Sequence, residues 1–224
     1  MTTATSRRAL SVRARLLIVA GMCALLALLP TSQLVLRHAE ELAFVREERA
    51  ALPANRAWQA LIAALQAHRQ MAAAQLAHPD TQGQRAATTM RVTQSFAALR
   101  DALDASGASN ARRDAVAALK REFDAPNAQA AGSLQGLLGR HLALAERAFA
   151  EISALNAESR LLLERDGAAH FSIIAGLQAA PRVSDALSEL AAVAAAAAVD
   201  DIAAVSTASA RYREHAAELV AMAL

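Results

Sequence analysis

The 224-residue chain carries 23 basic and 21 acidic side chains, 55% hydrophobic residues and only 3% aromatic residues. Much of the apolar content is alanine, the best helix former, and no stretch alternates β-branched residues as a strand would, so sheet is excluded. Lys120 is the only lysine and no basic face is clustered, which argues against nucleic-acid binding. The single cysteine, Cys23, cannot form an internal disulfide.

Arg7, Arg8, Arg13 and Arg15 precede Leu16–Leu29, fourteen residues without a charge or a strong hydrogen-bonding side chain. Beyond Pro30, Thr31, Ser32 and Gln33 the apolar character resumes at Leu34–Leu36, and charge returns at Arg37. At about 1.5 Å per residue, a helix over Leu16–Leu36 covers the roughly 30 Å hydrocarbon core of a bilayer. The leading arginines place residues 1–15 in the cytoplasm, 16–36 in the membrane and 37–224 beyond it. Without the four arginines the chain holds 19 basic against 21 acidic residues, so the excess positive charge belongs to the tail. A cleaved signal peptide is the competing reading. Pro30-Thr31-Ser32-Gln33 is a poor cleavage site, however, and the helical pattern continues through Arg37–Ala51. Asp/Glu-free apolar sequence also surrounds Cys23, so it reads as a packing residue facing lipid or a partner helix.

The first helix is expected from about Val12 to Leu52, with Pro53 interrupting it near the first turn of the next. The second carries the seam Trp58, Leu61, Leu65, His68 and Ala72 and stops at His78-Pro79, since a residue before proline avoids the α region. A third carries Val92, Phe96, Leu99 and Leu103 and ends at Ser106-Gly107. Ser109 or Asn110 caps a continuation through Val116, Leu119 and Phe123 that Pro126 closes. The fourth repeats Leu138, His141, Ala145, Ala148, Ile152, Leu155, Ser159 and Leu162, a strict 3-4 alternation that predicts one bundle helix over Leu138–Leu162. Asp166-Gly167 breaks or re-caps the chain, and Pro181 starts a further helix. The remainder, Val183–Ala223, is helical with an irregularity at Asp200-Asp201, an acidic pair suited to capping. The alanine run Ala194–Ala198 is too short and too weakly hydrophobic for a second span. The predicted fold is therefore all-α: a transmembrane helix continuing into an elongated, four-helix-bundle-like domain, single or double-stacked. The pattern is still running at Leu224, which leads us to expect a continuing chain.

Two segments carry a resemblance. Leu52–Leu76 reads LPANRAWQALIAALQAHRQMAAAQL; Glu158–Leu187 holds Ser159, Leu161, Leu163, Glu164-Arg165-Asp166, His170-Phe171 and Pro181-Arg182-Val183. They resemble the periplasmic sensor region of proteobacterial methyl-accepting chemotaxis receptors and of related membrane-bound histidine kinases and diguanylate cyclases. Gln66, His68 and Arg69 match the family's Gln-x-His-Arg, whereas Gln70, Met71 and Ala72 depart from the Gly-Leu-Ser that follows, and the second segment lacks the family's Asp-Pro. The resemblance implies a helical-bundle sensor in the bacterial inner membrane. Such a sensor works as a homodimer that binds a small solute or a periplasmic binding protein and signals by helix displacement. Output through a kinase or cyclase is the alternative within signalling, and a stand-alone anchored scaffold is the alternative outside it.

His68 and His141 fall on apolar seams: either they face one another in a ligand cleft, binding an anion or metal, or each is a hydrogen-bonded core histidine. Two histidines are weak evidence for zinc, which takes four ligands or three and a water. Arg69, flanked by apolar residues, needs an anionic partner, either a ligand or one of Glu146, Glu151 and Glu158 on the fourth helix. Arg140 is a second possible anion contact or part of a solvated face. Trp58 walls a pocket or packs the core. The expected ligand is thus a small anion held by His68, Arg69, Arg140 and His141. No Ser/His/Asp or Cys/His arrangement and no glycine-rich phosphate loop is legible, so neither catalysis nor a cofactor is expected.

Overall fold

The computed structural model describes residues 12–125, 133–159, 167–196 and 201–223; for part of 12–48, for 167–170 and for 223 it describes the backbone alone. Its described residues form helices and no strand. They run α1 (Val12–Ala77), a 3-10 turn (Pro79–Thr81), α2 (Gln82–Ala105), α3 (Asn110–Asp124), α4 (Leu134–Glu158), α5 (Gly167–Ile174), a π-helical segment (Ala175–Ala179), α6 (Ala180–Ala195) and α7 (Ile202–Ala223). The chain divides into two compact units, Met1–Arg46 and Glu47–Leu224.

In the first unit, Leu17, Met22, Leu25, Leu26, Leu28, Leu29, Leu34, Val35 and Leu36 are each more than half exposed. Ser32 donates to the carbonyl of Leu29 at 2.9 Å, two residues past Pro30. Among the described residues no helix is long and apolar enough to cross a membrane. Leu16, Ile18, Val19, Ala20, Cys23, Ala24 and Ala27 are described by backbone alone, so the expectation for the side chain of Cys23 lies outside the described residues.

The second unit is organised by where side chains can be buried. Trp58, Leu61 and Leu65 of α1 pack with Val92, Phe96, Leu99 and Leu103 of α2, Val116 and Leu119 of α3, and Leu144, Ala148, Ile152 and Leu155 of α4. A second cluster joins Ala72 and Ala73 of α1, Leu137 and Leu138 of α4, Ala192 and Val193 of α6, and Ala204 and Val205 of α7. Within this unit α1 and α4 run antiparallel, because the later residues of one meet the earlier residues of the other, and both thread the two clusters. Each leucine fully withdrawn from water contributes about 1.5–3 kcal/mol, and alanines let the backbones approach. The 3-4 seams of α1 and α2, and that of α4 from Leu138 to Leu155, are buried as their spacing predicts.

Local signals end several helices where expected. α1 stops at Ala77, and His78 before Pro79 takes φ −131° and ψ 86°. Past α2, Gly107 sits at φ +70°. Its N–H reaches the Asp104 carbonyl at 3.2 Å, and the Ala108 N–H reaches that of Leu103 at 3.0 Å, the paired bonds of a Schellman turn. The hydroxyl of Ser109 accepts from the Arg112 N–H at 3.4 Å and caps α3. Ala125 is extended, as a residue before proline should be, while Pro126 lies outside the described residues. Asp201 caps α7, accepting from the Ala204 N–H at 3.0 Å; its neighbour Asp200 lies outside the described residues.

Two boundaries differ, and a third is reached without a break. Pro53 does not interrupt the first helix: α1 is continuous through it. Losing the N–H of residue 53 frees the carbonyl of Arg49, but both residues lie on an exposed side of the helix, where solvent offers the missing donor at little cost. Ala51, Ala54, Asn55 and Trp58 stay buried on the opposite side. Pro181 does stand in the first turn of α6, as expected, but no break separates that helix from the segment before it. The backbone stays helical from α5 into α6 by widening, with the Ala180 N–H reaching back five residues to the Ala175 carbonyl. That wider turn accommodates the ring, which in a regular helix would press on the carbonyl four residues earlier. α4 ends at Glu158 with Ser159 as its cap, short of Leu162, which lies outside the described residues.

Candidate functional site

His68 of α1 and His141 of α4 meet between the two core clusters. Nδ1 of His68 lies 3.2 Å from Nε2 of His141, and the ring centroids are 5.1 Å apart. Phe123, at the end of α3, stands edge-on to the His68 ring at 5.2 Å and 71°. Both histidines are buried. Burial, then the positive fields of Arg85 and Arg140, pull the His68 pKa down to about 4. Burial, then His68, Arg69, Arg140 and Arg85, hold His141 well below the usual imidazole range. The pair is therefore neutral at neutral pH, one ring donating an N–H to the lone pair of the other. Nδ1 of His141 is buried without a partner.

The two neighbouring arginines turn away from this pair. Arg69 is paired across to α6, where Nη2 lies 2.9 Å from Oδ1 of Asp185 and 2.6 Å from its main-chain carbonyl. The two side chains are only 1% and 4% exposed. Its partner is thus neither Glu146, Glu151 nor Glu158. Glu146 serves Arg182 and Arg211, and Arg112 of α3 takes both Glu151 and Glu158. The helix registers explain the substitution: Arg69 lies on the stripe of α1 that faces α6, not the one that faces α4. Arg140 is partly exposed and is engaged by the protein itself. Its Nη2 donates to the carbonyls of Glu122, Phe123 and Ala125 at 2.7–3.0 Å. It caps the C-terminus of α3, where a cation also meets the negative end of the helix dipole. Trp58 is a core residue at 1% exposure.

The sequence reading missed the polar seam between α1 and α6. Beside Arg69–Asp185, Gln70 donates to Ser188 at 3.2 Å and Ser184 to Gln66 at 3.4 Å, while Glu189 pairs with Arg211 of α7. Asp185, Ser188 and Glu189 share a stripe with buried Ala192. Polar residues at 3-4 spacing on a stripe that ends in alanine were the available signal. Four expected site residues therefore divide: His68 and His141 come together, while Arg69 and Arg140 are matched by protein groups on either side. Among the described residues no group of three or more His, Cys, Asp or Glu side chains is arranged to hold a metal ion. Comparison with protein-family models, with curated proteins and with solved structures gives no match for this chain.

Proposed function

We propose that this chain is the ligand-sensing and transmembrane-signalling part of a chemotaxis-type receptor. Residues 16–36 anchor it in the bacterial inner membrane and residues 37–224 lie in the periplasm. The observation that carries the reading is the set of nine large apolar side chains named above, from Leu17 to Leu36, each more than half exposed, in a stretch that follows four arginines in the sequence. Such a sleeve is costly in water and favourable in hydrocarbon. The two core clusters threaded by α1 and α4 support a stacked-bundle sensor, and the Gln66-x-His68-Arg69 resemblance supports the receptor class.

Signalling in this reading is a shift between two packings of a homodimer, favoured by whichever state the solute binds better. Polar links between α1 and α6 suit that role, because they hold discrete registers. No catalytic step is assigned to the chain. A small anion is a poor candidate for the His68–Arg69 region, since it would have to displace Asp185 from Arg69. A phosphatase-type reporter that folds only outside the cytoplasm, fused after residue 100, tests the topology. Activity of that fusion supports the reading, and activity of a cytoplasm-dependent reporter at the same position rejects it.

A further inference from the structure

The two histidines stand where one core cluster gives way to the other. On α1 the larger cluster ends at Leu65 and the smaller begins at Ala72; on α4 the smaller ends at Leu138 and the larger begins at Leu144. The clusters are unequal. The larger holds Trp58, Phe96, Phe149 and a run of leucines, whereas the smaller consists of Ala72, Ala73, Ala192, Val193 and two leucines still 8–9% exposed. Hydrophobic stabilisation scales with the apolar area buried, so the end of α1 is held to the start of α4 less firmly than the rest of that helix pair.

The contact at this boundary depends on one lone pair. With both rings neutral, one facing nitrogen donates and the other accepts across 3.2 Å. One added proton leaves that shared N–H in place and puts an N–H on both outer nitrogens, of which Nδ1 of His141 is buried with no acceptor. A second added proton gives both facing nitrogens an N–H, and two donors cannot remain at that separation.

The surroundings do nothing to offset the charge. Arg69 of α1, Arg85 of α2 and Arg140 of α4 act on the pair as positive charges, and no carboxylate is among the groups that act on either ring. Asp185 of α6 is engaged by Arg69. On α3, Glu122 and Asp124 flank Phe123 and pair with Arg147 and Lys120. The closed pair therefore resists protons, His68 until about pH 4, whereas a hydrated imidazole takes one up near about 6.5.

We infer that His68 and His141 form a proton sensor: two protons taken up from solution part the end of α1 from the start of α4 at the smaller cluster, while the larger cluster stays closed. The titration belongs to the pair and not to either ring. Uptake of two protons makes the switch steep. Between about pH 7.5 and pH 5, two rings of ordinary pKa favour the parted form on the order of a thousandfold, enough to turn over most of a population. The inference supplies a stimulus for the sensor reading and rests on that reading for its biological role, while its geometry belongs to the Glu47–Leu224 unit.

The test follows two distances in the full chain in mild detergent, with Cys23→Ser removing the only natural cysteine. Spin labels at Leu76→Cys and Gln135→Cys, both exposed sites, report the end of α1 against the start of α4. Labels at Gln94→Cys and Ala150→Cys, also exposed, report α2 against α4 beside the larger cluster. From about pH 7.5 to about pH 4.5 the first distance should gain a longer population with a slope near two protons. The second distance and the helical circular dichroism should hold throughout. His68→Leu with His141→Leu should remove the response. If that variant does not fold, His68→Gln decides, its slope falling to near one proton. A first distance unchanged by acid, an undiminished slope in His68→Gln, or a response that survives the double variant overturns the sensor. So does loss of the second distance and of helicity together with the first, which is acid unfolding of the whole unit. An active periplasmic reporter with silent distances rejects the proton sensor alone; a pH response with a cytoplasmic reporter rejects the topology alone.

Discussion

Arg69 of α1 grips Asp185 of α6 at two points, the carboxylate at 2.9 Å and the main-chain carbonyl at 2.6 Å, with both side chains out of water. The bond fixes the register between the two helices, because the carbonyl contact is lost if α6 slides by one residue. Buried pairs of this kind are weak sources of net stability, but breaking one is severe.

Asp185→Ala should therefore destabilise the folded chain by about 3–5 kcal/mol, leaving a buried guanidinium uncompensated. Replacing both partners, as Arg69→Met with Asp185→Leu, should recover most of that loss. Urea unfolding followed by circular dichroism measures both. A single-variant loss no larger than that of a surface substitution would show that water reaches the arginine.

Stability should fall in acid through the histidine pair. In the unfolded chain an imidazole takes up a proton near 6.5, whereas folded His68 does so only near about 4, and His141 is also shifted down. Between these values the unfolded state binds more protons, so the stability is complete above pH 6.5 and is lost as pH falls toward 4. His68 alone accounts for about 3 kcal/mol of this. Plots of Tm against pH should be steep in that window for the natural chain and flatter for His68→Gln.

Ile152, 2% exposed in the main core cluster, tests the seam of α4. Ile152→Asp should cost several kcal/mol, about 3 or more, since it buries a charge with no partner. Thermal unfolding at the natural temperature would place the seam on another face.

Gly107→Ala should destabilise by about 1–2 kcal/mol purely through the backbone. An added Cβ would meet nothing within 4 Å, so the positive φ of +70° is the only source of strain. Asn at this position, which tolerates the left-handed region better, should lose less in the same melt.

Much of the fold follows from interactions a few residues long, and these are legible in the chain. The 3-4 seams around Trp58, Phe96 and Ile152, the stop at His78-Pro79, the left-handed turn at Gly107 and the caps at Ser109 and Asp201 each depend on neighbours within one or two turns. The meeting of His68 and His141 was legible too, as two polar residues interrupting facing seams. What tertiary structure decided was which helix each remaining polar residue faces. Arg69 and Asp185 stand 116 residues apart, and only the packing of α6 against α1 could choose Asp185 over three glutamates on α4. Arg140 became a cap because the end of α3 arrived beside it. Pro53 stayed inside α1 because burial of the opposite face offset a cost that local rules alone assign to a break, and Pro181 opens α6 without a break because a widened turn precedes it.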